Sequence, residues 1–299
     1  MISIFIFLLN TSTFAFLSDW FGLNKSSVKE ILIHQLQEDQ QWLSLALDQR
    51  VTPYSDSLRF VFSHILEMPQ VIQSSRSDEL HRLLLKSLVE LPSDMRDEFK
   101  EHLSHIYLVD HLDSYAAIEH VGQRQFILLL SDKLLDDTVQ KRLSSQFLGN
   151  IRASILNNFH VKVKLRAEGK KLSLLSHVLI HEFGHIHSVL NLEIYPWTQE
   201  KSVLKGWKNI KFKSFRLKKH PLLRNRRYNP HVNLLTQDEM LSVLSDYSKY
   251  DYSIYSYSNE YEFLAERYYC EKLKELNSEL FFILVVVGEE EFFLNQCPN

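Results

Sequence analysis

Apolar residues recur at helical spacing through the first third of the chain. Leu36, Leu43 and Leu47 stand seven and four apart, and the pattern is helical from Ser26 to about Ser114. Within it, Ser77-Asp78-Glu79 supplies a cap and an acidic first turn. Leu83 to Leu91 continues that helix, Pro92 stops it, and Ser93-Asp94 starts another. The texture changes at Gly122. Phe126–Leu130 is a continuous apolar run suited to a buried strand, and a helical stretch follows from Lys133. Val161, Val163 and Leu165 alternate with Lys162, Lys164 and Arg166, the period-two pattern of a half-buried strand. Beyond Gly169 an amphipathic helix is predicted from about Leu172 to Leu190, with Leu172, Leu175, Leu179 and Ile186 as its apolar stripe. A small sheet feeding a long helix is an α+β layout.

The two ends of the chain carry apolar blocks. Ile2 to Leu9 is apolar apart from Ser3, and Thr11 to Ala15 offers small residues. This is the order of a secretory signal peptide, although no Lys or Arg precedes Lys25. The alternative is a first strand or buried helix. We expect residues 1–16 to be a signal peptide and the chain to be secreted or periplasmic, with no integral membrane span after its removal. Leu280–Val287 is too short for a bilayer, which needs about 20 apolar residues, and reads as a buried strand or helix end.

Composition narrows the class. The 299 residues are 45% hydrophobic and 24% charged, which excludes a disordered or collagen-like chain. Only 7 Gly and 7 Pro favour helices over a many-turned β-sandwich. A net charge of -3 gives no global field for nucleic acid. Residues 201–227 nevertheless form a basic segment, with Trp207, Phe212 and Phe215 among its lysines and arginines. Such a run could bind an anion, but it reads better as a solvated insertion, about 201–250, and no nucleic-acid partner is expected. Two cysteines, Cys270 and Cys297, exclude a four-cysteine zinc site and leave open a single bridge.

The long helix carries His181-Glu182-Phe183-Gly184-His185, an H-E-x-x-H. At 3.6 residues per turn the two histidines share a face, so both imidazoles can reach one metal ion. Glu182 stands beside that face, where it can act as general base without being a ligand. With 14 His in the chain, chance would produce this pattern in about one such sequence in twenty. His177 lies one turn too early to join the pair, and His187 points to another face. Both suit core, supporting or surface roles.

A catalytic zinc site needs a third protein ligand and an open position. Ser258-Asn-Glu-Tyr-Glu-Phe-Leu-Ala-Glu-Arg267 offers Glu262 and Glu266, four apart on one helical face. One carboxylate could bind zinc while the other accepts the N–H of a ligating histidine. Spacing does not say which does which.

HEFGH followed by NEYEFLAE resembles the zinc site of the anthrax lethal factor-like metallopeptidases, among the gluzincins. The resemblance implies that Glu262 is the third ligand, that Glu266 supports a ligand one turn on, and that Tyr255 stabilises the oxyanion. It implies one Zn2+ per chain, a zincin-type domain over 116–299 preceded by a helical region over 17–115, and a protein or peptide substrate. It further implies a strand that pairs with extended substrate, a role open to Phe126–Leu130 or Val161–Leu165. Two features depart from that pattern: about 75 residues separate the motifs, and the basic segment interrupts them. The expectation is a zinc endopeptidase. The alternative is a catalytically silent zincin-fold binding or regulatory protein.

Overall fold

Pairing partners decide which apolar runs become strands. The computed structural model describes residues 41–53, 71–122, 124–151, 159–192, 236–247 and 260–297. The signal-like segment, the rest of 17–40, the basic run 201–227 and Tyr255 lie outside the described residues. The fold is α+β and divides into two units, one of residues 1–89 and 93–136 and one of 90–92 and 137–299.

In the first unit, Ile72–Gln73 (β1), Leu103–Asp110 (β2), Ala116–Gly122 (β3) and Gln125–Ser131 (β4) form one sheet in the order β1-β2-β4-β3. The β2–β4 pair is parallel and the other two are antiparallel. Every residue of β4 is buried, as the run Phe126–Leu130 leads one to expect of a strand with neighbours on both sides. Helices Ser77–Glu90 (α1) and Ser93–His102 (α2) flank Pro92, where helix stop and start signals meet. Lys133–Asp136 (α3) adds one turn.

Three expectations need correction here. Leu103–Asp110 is a strand inside the region read as helical, because Ile106-Tyr107-Leu108-Val109 gains a ladder with β4 that local spacing cannot reveal. Leu43 and Leu47 belong to two short 3-10 turns, Gln41–Ser44 and Leu47–Arg50, rather than one helix. The boundary between units lies at 136/137, not 115/116, since β2 precedes that point, β3 and β4 follow it, and all three share one sheet.

The second unit contains Val139–Ile151 (α4), Phe159–Ala167 (β5), Leu174–Leu192 (α5), Gln237–Tyr247 (α6), Glu260–Glu275 (α7), Leu280–Val287 (β6) and Glu290–Asn295 (β7). Its sheet, β5-β6-β7, is antiparallel throughout, so the described residues form two sheets where one was expected. Central β6 takes the apolar block near the C-terminus, rich in β-branched and aromatic residues. Gly288, at φ +63°, opens the tight turn into β7, a conformation that side chains resist. Outer β5 keeps Lys162 and Lys164 exposed and Val161 and Val163 half-buried, but the expected alternation ends there, since Leu165 is exposed and Arg166 half-buried. Of the two segments considered for pairing with substrate, Phe126–Leu130 is excluded: both its edges are occupied by β2 and β3. Among the described residues no helix is long and apolar enough to cross a membrane.

Candidate metal centre

Helix α5 begins at a local cap, where Ser173 Oγ accepts the backbone N–H of Ser176 at 3.2 Å. A half-buried helix was expected. Instead every residue from Leu174 to Ile186 is buried, polar and apolar alike. One of its faces packs closely against α7. A Cβ on Gly184 would fall 2.7 Å from Ala265 Cα, so the two backbones touch where both residues are small. This approach brings the two motifs, far apart in the chain, face to face.

At the crossing, Glu262 Oε2 lies 3.3 Å from His181 Nε2 and 3.6 Å from His185 Nε2. The three donor atoms all lie within 4.8 Å of one another. The imidazoles meet edge to face, with centroids 4.8 Å apart and planes at 88°. His181 presents its other nitrogen, Nδ1, to Glu266 Oε1 at 2.9 Å. The two carboxylates left interchangeable by spacing thus take different positions. Glu262 faces both histidines, while Glu266 stands behind one. Glu182, adjacent to His181, is buried in the same helix. His177 is buried outside the group and meets Tyr269 OH at 2.7 Å, and half-buried His187 packs on Tyr268.

The donor set could hold a divalent metal ion on distance and on charge. Bonds of about 2.0–2.1 Å in a tetrahedron separate ligand atoms by about 3.3–3.4 Å, close to the two separations from Glu262. Among the described residues, three buried or half-buried carboxylates, Glu182, Glu262 and Glu266, stand with one permanent cation, Arg142, so a dication would balance them.

The electrostatics follow from that crowding. Burial alone would lower the His181 pKa, but hydrogen bonds and charge from Glu262 and Glu266 outweigh it and raise it to about 10. A metal ion at Nε2 would therefore have to displace a proton. Burial pushes the Glu182 carboxyl up to about 7; His181 and Arg142 pull it back and Glu262 adds to the rise. His185, lowered to about 3 chiefly by burial, stays neutral with a free lone pair for a ligand bond.

Three neighbours of the site carry no signal in the sequence. Tyr261 stacks on His185, with centroids 3.7 Å apart and planes at 18°. Arg142, on α4, lies 3.9 Å from Glu266. Tyr269 accepts a hydrogen bond from Gln296 Nε2 at 2.7 Å. A stacking tyrosine beside a ligand looks like any core aromatic, and an arginine within a helix looks like any surface charge. The bridge left open by the cysteine count is present: Cys270 and Cys297 are disulfide-bonded, tying α7 to the residues after β7. No family model, curated protein or solved structure matches the chain.

Proposed function

We propose that this chain is a zinc-dependent endopeptidase with a zincin-type catalytic unit similar to the lethal factor-like gluzincins. His181, His185 and Glu262 would hold one zinc ion, and Glu182 is the general base. The carrying observation is the convergence of three ligand atoms from two helices beside a buried glutamate. Bound zinc supplies Lewis acidity, polarising the scissile carbonyl and acidifying water. Glu182 takes the proton of the attacking water and hands it to the leaving amine. Glu266, whose Oε1 lies 2.9 Å from His181 Nδ1, is the group placed to orient that imidazole. Tyr255 is proposed as the oxyanion donor. The disulfide supports export to an oxidising compartment, in keeping with the signal-like start.

The test compares wild type, Glu182→Gln and Glu262→Ala by elemental analysis and casein cleavage. Wild type and Glu182→Gln should each carry one zinc, with Glu182→Gln slower by at least about a hundredfold. Glu262→Ala should lose most of its metal. Absence of zinc after reconstitution would remove the enzyme reading. Stoichiometric zinc without hydrolysis of casein or of a random peptide pool would favour the silent binding protein.

A further inference from the structure

Arg142 is a full positive charge in the interior, only 2% exposed, on a helix that contributes neither metal donor nor base. A guanidinium is buried at a large desolvation cost unless it meets an anion or a π-face. Arg142 meets both. Its Nη2 stands 3.9 Å from Glu266 Oε1, and its guanidinium carbon sits 5.3 Å over the Tyr269 ring. The charge of Arg142 also pulls the Tyr269 hydroxyl back against the upward push of burial. Tyr269 is itself pinned by His177 on α5 and by Gln296 after β7, so the guanidinium is held from several elements.

The geometry matters because of which oxygen is involved. Glu266 Oε1 is the same atom that meets His181 Nδ1 at 2.9 Å. A carboxylate that orients a ligating histidine is effective only if it cannot rotate away. The Arg142 guanidinium, on another helix, stands beside that oxygen, where its charge opposes the rotation.

We propose that Arg142 is a positioning residue of the metal centre, holding the Glu266 oxygen that fixes the tautomer and ring orientation of His181. The inference rests on the metal-centre reading above and deepens it. A merely structural ion pair would alter stability when broken. A positioning role also alters the metal's affinity and its spectrum, and acts through Glu266.

The experiment uses the full protein stripped of metal and titrated with Zn2+ against a chromogenic chelator. Co2+ serves as a visible reporter of ligand geometry, and a thermal melt accompanies each variant. Arg142→Met should weaken zinc binding by about ten- to a hundredfold and alter the cobalt band. Arg142→Lys, which restores charge without the guanidinium fork, should recover part of that loss. In a Glu266→Gln background, Arg142→Met should cost less than about threefold more, since its route is already cut.

A folded Arg142→Met protein with wild-type zinc affinity and cobalt spectrum would overturn the proposal. So would an undiminished effect in the Glu266→Gln background. If the single variant does not fold, the comparison moves to Glu266→Gln and the double variant, which buries neither charge. Equal affinities then support the proposal, and a much weaker double variant refutes it. Should wild type bind neither metal, the metal-centre reading falls first and takes this inference with it. Normal wild-type binding beside an unaffected Arg142→Met removes the inference alone.

Discussion

Alanine at Gly184 should destabilise the protein and loosen its grip on metal, against the sign expected of helix propensity. On propensity alone, glycine to alanine inside a helix gains about 1 kcal/mol. Here the new Cβ would lie 2.7 Å from Ala265 Cα and 2.8 Å from Ala265 O. Ordinary contact begins near 3.4 Å, so α5 and α7 must part by about 3.4 - 2.7 = 0.7 Å. Both obstacles are backbone atoms, which cannot swing aside as a side-chain tip can. Overpacking of this kind costs about 1–3 kcal/mol, and with rigid neighbours the upper part of the range applies. Subtracting the propensity gain leaves a net loss of about 1–2 kcal/mol, or roughly 2–8 °C in melting temperature for a unit of this size. The functional consequence follows from position. His181 and His185 flank Gly184 on α5, and Glu262 stands one turn before Ala265 on α7, so the same separation pulls the third donor from the other two. Differential scanning calorimetry and a zinc competition titration would measure both effects. A Gly184→Ala protein that melts at or above wild type, with unchanged zinc affinity, would refute the close-approach argument.

Two further outcomes follow from groups around the site. Tyr261→Leu should weaken zinc binding severalfold by releasing the face of His185, while Tyr261→Phe, which keeps the stacked ring, should bind like wild type; equal loss in both would place the effect in the hydroxyl. Buried His177, its pKa lowered to about 3 by burial and then by Arg142, stays neutral in the folded chain but takes a proton near pH 6.5 when unfolded. Its contribution is thus whole above pH 6.5 and shrinks as pH falls toward 3, by about 2 kcal/mol at pH 5. Urea titrations from pH 7.5 to 5 should show a shallower decline for His177→Gln than for wild type, and parallel declines would contradict it.

Local pattern and tertiary placement contributed different parts of this protein. The helix over HEFGH, the stop at Pro92, the strand through Val161 and Val163 and the buried run Phe126–Leu130 were legible because each depends on the spacing of near neighbours. The pairing of HEFGH with Glu262 and Glu266 was legible too, since ligand chemistry limits which side chains can complete such a site. Position along the chain, by contrast, says nothing of which strands share a sheet. Leu103–Asp110 therefore looked helical, and the unit boundary was drawn inside a sheet that spans it. Spacing also left Glu262 and Glu266 exchangeable; separation came only when α7 crossed α5 at Gly184 and Ala265 and turned one carboxylate toward both histidines. Arg142 and Tyr261 were invisible for the same reason. Their side chains gain meaning from what packs against them, and contacts between elements distant in sequence are made only when the chain folds.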